Sequence, residues 1–185
     1  MELYDLYTAG REKTGKTMER GEPTPPGYYR LIIHVCIFSE DGKMLLQQRQ
    51  PSKKIWPDKW DISVSGCAIS GDNSKSAAER ETREELGLSI DLSDMRPAMT
   101  VYWGSVFEDI YVLTKSMDLA SLQLQKEEVQ AVRWASKGEI LRMIEDGRFI
   151  PFDKSLIEYL FFRRNHQGSL REFKVTENSP GLQNG

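Results

Sequence analysis

Three glutamates, Glu81, Glu84 and Glu85, stand within five residues of one another in the stretch GCAISGDNSKSAAERETREELGL, Gly66 to Leu88. On a helix, residues three and four apart share a face, so the three carboxylates are expected to project to one side, within reach of a common point. Carboxylates gathered without neutralising partners repel each other and ask for a cation, and hard oxygen ligands select Mg²⁺, with Mn²⁺ as the alternative, over zinc. The competing reading of such a run is a solvated acidic face. Helix-forming signals surround the run. Ser74 is a candidate N-cap, Ala77 and Ala78 are strong helix formers, and Gly87 suits the position after the last turn.

The full spacing separates the two readings. Gly66, five residues, Asp72, seven residues, then Arg80-Glu81-Thr82-Arg83-Glu84-Glu85-Leu86-Gly87-Leu88 resembles the signature of the Nudix hydrolases, Gly-x5-Glu-x7-Arg-Glu-U-x-Glu-Glu-x-Gly-U, with U a bulky apolar residue. Asp72 replaces a glutamate of the pattern and Thr82 replaces its first apolar position. The resemblance implies an α/β fold, a Nudix-type α/β/α sandwich with a mixed sheet. It also implies hydrolysis of a phosphoric anhydride in a small-molecule diphosphate substrate, nucleoside diphosphate-linked or related. Metal binding then falls to Glu81 and Glu85, with Glu84 as a third ligand and the Gly66 carbonyl as a further one. Glu84, Glu81 and Arg80 form the catalytic set, Arg80 by orienting a signature carboxylate. A metal ion at this place would neutralise the diphosphate and lower the pKa of a bound water.

A general base in this family often comes from outside the signature helix. Besides Glu84, the candidates are Glu108, Asp109, Glu127 and Glu128; alternation along a strand sends Glu108 and Asp109 to opposite faces, so at most one of those two can face the site. The loop QRQPSKKIWPDKW brings Arg49, Lys53 and Lys54 together, and Arg49 and Lys53 are read as diphosphate contacts, against the alternative of solvated loop charges. Trp56 and Trp60 could stack on a base or simply pack beneath the loop. KTGKT, Lys13 to Thr17, lacks the glycine spacing of a phosphate-binding P-loop and is rejected as one.

From Gln48 to Leu88 the chain also resembles isopentenyl-diphosphate isomerases, a neighbouring branch with an S-K-K-x-W-P loop and a W-x-x-S-V-C-G-H run. In those enzymes the cysteine is catalytic and the histidine binds metal. Here Ser65 stands at the cysteine position and Cys67 at the histidine position. The alternatives to a hydrolase are therefore an isomerase-like enzyme and a non-catalytic nucleotide-binding Nudix module.

The elements that must position these groups are readable in outline. Glu2 to Tyr7 is expected as a short strand, Lys13 to Arg20 as a polar ribbon, and Leu31 to Phe38 as a buried strand turning at Asp41-Gly42 into Met44 to Arg49. His34 is expected to be a satisfied core histidine. Asp61 to Ser65 reads as one strand, Ala98 to Trp103 and Val106 to Thr114 as an antiparallel pair, and Ala131 to Ala135 as a last strand. Ser136 and Glu139 form a capping box for a helix to about Asp146, and a further helix runs from Asp153 to about Asn165.

The 185 residues suit a single Nudix domain over 1–166, of which 1–29 form the N-terminal strand and ribbon, with 167–185 as a flexible tail. The balance of 28 acidic and 25 basic residues argues against duplex nucleic acid as a partner. No apolar run reaches membrane-spanning length and the N-terminus lacks a signal-peptide core. The two cysteines, Cys36 and Cys67, fit reduced, buried thiols. A cytoplasmic protein is expected, with a homodimer as one open assembly state.

Overall fold

The computed structural model describes residues 2–166; the expected tail, 167–185, lies outside the described residues. A β-ribbon comes first, β1 (Leu3–Tyr7) antiparallel to β2 (Lys13–Glu19), so the polar segment KTGKTME is a strand. The ribbon docks through Tyr4, Leu6 and Met18 on Tyr28, Cys67 and Ile69. The main sheet contains β3 (Arg30–Phe38), β4 (Met44–Arg49), β5 (Trp60–Asp61), β6 (Val64–Cys67), β7 (Met99–Trp103), β8 (Val106–Thr114) and β9 (Val129–Ala135). Its order is β5-β4-β3-β8-β7, with β6 paired to β3 and β9 to β4. Only β3 and β8 run parallel; the other pairings are antiparallel, so the sheet is mixed.

Strand β3 divides its partners. Its first half pairs with β6 and its end meets β4 at Phe38 and Met44. The expected single strand from Asp61 to Ser65 is accordingly two pieces, broken at Ile62-Ser63. The reason is a side chain competing for backbone groups. The Ser63 hydroxyl donates to the Leu45 carbonyl (2.6 Å) and accepts from the Ile37 amide (2.9 Å), bridging the two strands that have splayed apart.

Alternation along β3 and β8 sorts the core into two layers. Ile33, Val35, Ile37, Phe107 and Tyr111 face α1 (Ser74–Leu86), which lays Ala77, Ala78 and Leu86 on them. Cys36, Phe38 and Ile110 face the opposite way, toward Ile140 and Met143 of α2 (Lys137–Glu145) and Ile157 and Leu160 of α3 (Lys154–Arg163). The result is an α/β/α sandwich. The capping box of α2 forms as expected between Ser136 and Glu139, and Asp153 caps α3. Among the described residues no helix is long and apolar enough to cross a membrane.

Candidate active site

Helix α1 begins one residue earlier than its expected cap: Asn73, not Ser74, is the N-cap, accepting from the Lys75 and Ser76 amides (2.9 and 3.0 Å). Ser74 instead hydrogen-bonds the Tyr111 hydroxyl at 2.8 Å, tying the helix to β8. Gly87 closes the helix in the left-handed region, φ 66°, where a side chain would be strained. Thr82 is fully buried and returns its hydroxyl to the Ala78 carbonyl (2.7 Å), which lets a polar residue occupy an apolar position of the signature.

Arg80 organises the carboxylates. Its Nε and Nη2 donate to Asp72 Oδ2 (3.1 and 2.9 Å), Nη1 donates to Glu81 Oε1 and Glu84 Oε2 (both 3.0 Å), and Nη2 also reaches the Cys67 carbonyl (3.0 Å). The shorter Asp72 therefore serves as an anchor for Arg80, at the junction between loop and helix. Glu81 lies against β6, where a Cβ on Gly66 would fall inside the Glu81 side chain. Only glycine permits this approach.

The three glutamates do not share one environment. Glu85 is 6% exposed and accepts from Gln47 Nε2 on β4 at 2.8 Å, whereas the Glu84 side chain is 50% exposed. Convergence of all three on one point, expected from their spacing, is not what the structure holds: no three acidic, cysteine or histidine side chains among the described residues form a metal-holding group. Geometry explains it. With 3.6 residues per turn, Glu84 and Glu85 diverge by about 100° around the axis, with Glu81 between them. Burial pushes the Glu81 carboxyl up to about 7 against the lowering charge of Arg80. Burial and the neighbouring Glu81 raise Glu85 well above the ordinary carboxylate range, against the lowering Gln47 bond.

The oxygen-only donor set, Glu81 and Glu85 one turn apart with the β6 backbone at Gly66 against Glu81, fits a hard divalent cation.

Arg49 and Lys53, read as diphosphate contacts, both have partners within the protein. Arg49 donates to the Ile55 carbonyl (3.3 and 3.2 Å) and lies 3.8 Å from buried Asp61, while Lys53 pairs with Glu128. Gln50 Nε2 donates to the Lys126 carbonyl (2.7 Å), so the loop before β5 is clasped to the loop before β9. Trp60 lies under the Arg133 guanidinium at 5.1 Å and Trp56 is exposed.

The outlying acids separate cleanly. Asp109 faces the α1 layer, buried, in a two-pronged pair with Arg11 (2.9 and 2.6 Å) and a 2.7 Å bond from Thr100. Those bonds outweigh burial and hold its carboxyl below the usual range. Glu108 faces the other layer, where it meets Trp103 and His34. His34 is buried as expected but not satisfied: Nδ1 is 2.9 Å from the Ser65 hydroxyl, while Nε2 has no hydrogen-bond partner among the described residues. Glu127 is exposed. Cys36 is fully buried and Cys67 partly so, both free.

Sequence reasoning missed Asn73, Gln47, Ser63 and Arg11. Gln47 alone left a trace: it follows Leu45 on the inward side of an otherwise apolar strand.

Residues 28–165 match the NUDIX domain family. The chain belongs to the Nudix family. An uncharacterised Nudix hydrolase of Listeria monocytogenes is 47% identical over 152 residues, covering 82% of this chain and 90% of that protein. An isopentenyl-diphosphate Delta-isomerase of Shigella flexneri is 31% identical, covering 76% and 80% respectively. Among solved structures, DR0079 from Deinococcus radiodurans superposes with a TM-score of 0.71 at 24% identity, over 86% of this chain and 99% of that one, a likeness of fold. This Nudix chain is thus a hydrolase of the phosphoric-anhydride class, in a family that acts on small-molecule diphosphates and generally uses a divalent metal.

Proposed function

We propose that this protein is a Mg²⁺-dependent hydrolase that opens a diphosphate linkage with water, Mn²⁺ being able to substitute. The observation that carries the reading is the pair Glu81 and Glu85: two carboxyls raised by burial, one helical turn apart, with Gly66 backbone pressed against the first. Glu81, Glu85 and the Gly66 carbonyl would hold the cation, which when bound supplies charge neutralisation on the diphosphate and a more acidic water, while Glu84, turned away from Glu85, is left for proton transfer.

The protein's own part is positional. Arg80 fixes Glu81 and Glu84 through Nη1, while its Nε and Nη2 are held by Asp72. Glu84 is bonded through Oε2 only among the described residues, so Oε1 can take a proton from the attacking water. Arg49 and Lys53 sit on the clasped loop and turn to the substrate's phosphoryl oxygens by exchanging the Ile55 carbonyl and Glu128 for them. A cytoplasmic location accords with the free thiols of Cys36 and Cys67.

A panel of nucleoside diphosphates, nucleotide sugars, dinucleotides and prenyl diphosphates, assayed for released products, tests the reading. Turnover of at least one class is expected with Mg²⁺, and its disappearance with chelator. Turnover that survives chelation would contradict the proposal.

The isomerase reading has the Shigella relative in its favour but lacks the chemistry. Moving a proton across a carbon–carbon double bond needs acid and base on opposite faces. Ser65, at the position of the isomerase cysteine, is a far weaker acid than a thiol. Isopentenyl diphosphate incubated with enzyme and Mg²⁺ is expected to give no dimethylallyl isomer by NMR; its formation at catalytic rates would overturn the hydrolase assignment.

A further inference from the structure

Strand β4 is hydrocarbon where it enters the sheet. Met44, Leu45 and Leu46 are fully buried, and Leu45 joins the layer that α1 covers. Gln47, two residues on and therefore on the same side, is 2% exposed and puts an amide into that interior. A buried amide is costly unless its polar atoms are matched, so its partner matters. Nε2 donates to Glu85 Oε2 at 2.8 Å, joining β4 to the last turn of α1, 38 residues away in the chain. Glu85 is also tied through its backbone, where the Gln125 amide donates to its carbonyl at 3.0 Å. Beside Gln47 stands a second buried acid, Asp61, its cross-strand partner on β5 and 1% exposed.

The chemistry of an amide suits this place in two ways. Burial, then the charges of Glu81 and Asp61, push the Glu85 carboxyl up, and the Gln47 bond works against them. An ionised carboxylate only accepts hydrogen bonds, so the N–H end of the amide favours the form that can bind a cation. A lysine at this position would also donate, but its charge would neutralise the acids and repel a cation beside Glu81. The second feature is that only one carboxylate oxygen is taken. Oε1 of Glu85 has no hydrogen-bond partner among the described residues, yet it is not one of the buried unsatisfied atoms, so it opens to the site. An apolar side chain at position 47 would leave Oε2 buried without a donor and nothing to choose between the two oxygens.

We infer that Gln47 is a positioning residue for the cation site: its neutral amide fixes Glu85 by Oε2 and so turns Oε1 toward the divalent ion. The inference rests on the metal-dependent hydrolase reading and adds to it a residue from outside the signature helix. Gln47 acts through Glu85 alone, as its one side-chain hydrogen bond among the described residues goes there. Partners that orient a metal ligand from behind typically contribute about ten- to a hundredfold to metal affinity. Gln47 therefore belongs to the binding of the ion itself, before any diphosphate arrives.

Mn²⁺ binding to the substrate-free protein, followed by electron paramagnetic resonance of the free ion, tests this without turnover. Gln47→Met, close in volume but without a donor, should weaken Mn²⁺ binding by about tenfold or more while the circular dichroism spectrum stays unchanged. Glu85→Gln should weaken binding as well. Adding Gln47→Met to that variant should weaken it by less than about twofold more, because both residues act through one contact; a merely structural glutamine would give additive losses. Gln47→Lys covers the case of a poorly folding methionine variant. Its ammonium keeps a donor for Glu85, yet its charge should lower Mn²⁺ affinity by about tenfold or more. Wild-type affinity in either folded single variant, or full additivity with Glu85→Gln, overturns the inference and leaves the hydrolase reading standing. Failure of the wild-type protein to bind Mn²⁺ would strike the hydrolase reading itself and this inference with it.

Discussion

Arg80 spends every N–H of its guanidinium on Asp72, Glu81, Glu84 and the Cys67 carbonyl, so its role is to set carboxylates rather than to meet substrate. Glu81 is the residue whose cost is readable. Its carboxyl rises from the ordinary 4.5 to about 7 in the folded state, chiefly through burial. Below the lower value both folded and unfolded chains hold the proton, and above the higher value neither does. Between them the folded state alone keeps it, so folding stability must fall as pH rises through that window. In metal-free protein, Glu81→Gln is expected to remove this loss. Urea unfolding at about pH 5 and about pH 8 should show the variant gaining on wild type by on the order of 2 kcal/mol at the higher pH. A difference independent of pH would place the burial effect elsewhere. The glutamates were legible from spacing alone, but their division into buried Glu85, half-set Glu81 and exposed Glu84 was not. It depends on Gln47 and Gly66 arriving from other strands.

Among the elements, those with strong periodicity were read correctly: β3, the turn at Asp41-Gly42 with Gly42 at φ 86°, β8, and the boxed start of α2. The misreadings share one cause, a polar side chain taking over a backbone hydrogen bond. Asn73 displaced Ser74 as the cap of α1, and Ser63 cut one expected strand into β5 and β6. The polar ribbon expected over Lys13 to Arg20 is the strand β2, whose pairing lies with β1 and whose exposed side chains carry no apolar alternation. Ser63 has a measurable weight. It is completely buried and satisfies one donor on β3 and one acceptor on β4 at the place where those strands part. Ser63→Ala strands both groups and should lower stability by about 2 kcal/mol, seen as a reduced urea midpoint with unchanged slope. An unshifted midpoint would mean that the splay is held by packing alone. Because Gln47 lies on β4 just beyond this point, loosening it should also disturb Glu85.

At the scale of the molecule, the sandwich separates two tasks by sheet face. The α1 side carries the raised carboxyls, and the opposite side, packed against α2 and α3, carries His34 with Ser65 and Glu108. Strand β6 joins them, since Gly66 faces Glu81 while Ser65 meets His34 on the other side. The family was legible because its signature is local in sequence. The meeting of His34 with Ser65 and Glu108 was not, because it is assembled from β3, β6 and β8, which no short motif connects. The most direct test of the whole account is the metal-dependent turnover of wild type against Glu85→Gln, with the best substrate of the panel and both proteins shown to be folded by circular dichroism. A lost ligand should cost at least about 100-fold in kcat across a Mg²⁺ titration, with the secondary structure intact. A well-folded Glu85→Gln protein that turns over at the wild-type rate would contradict the account at its centre.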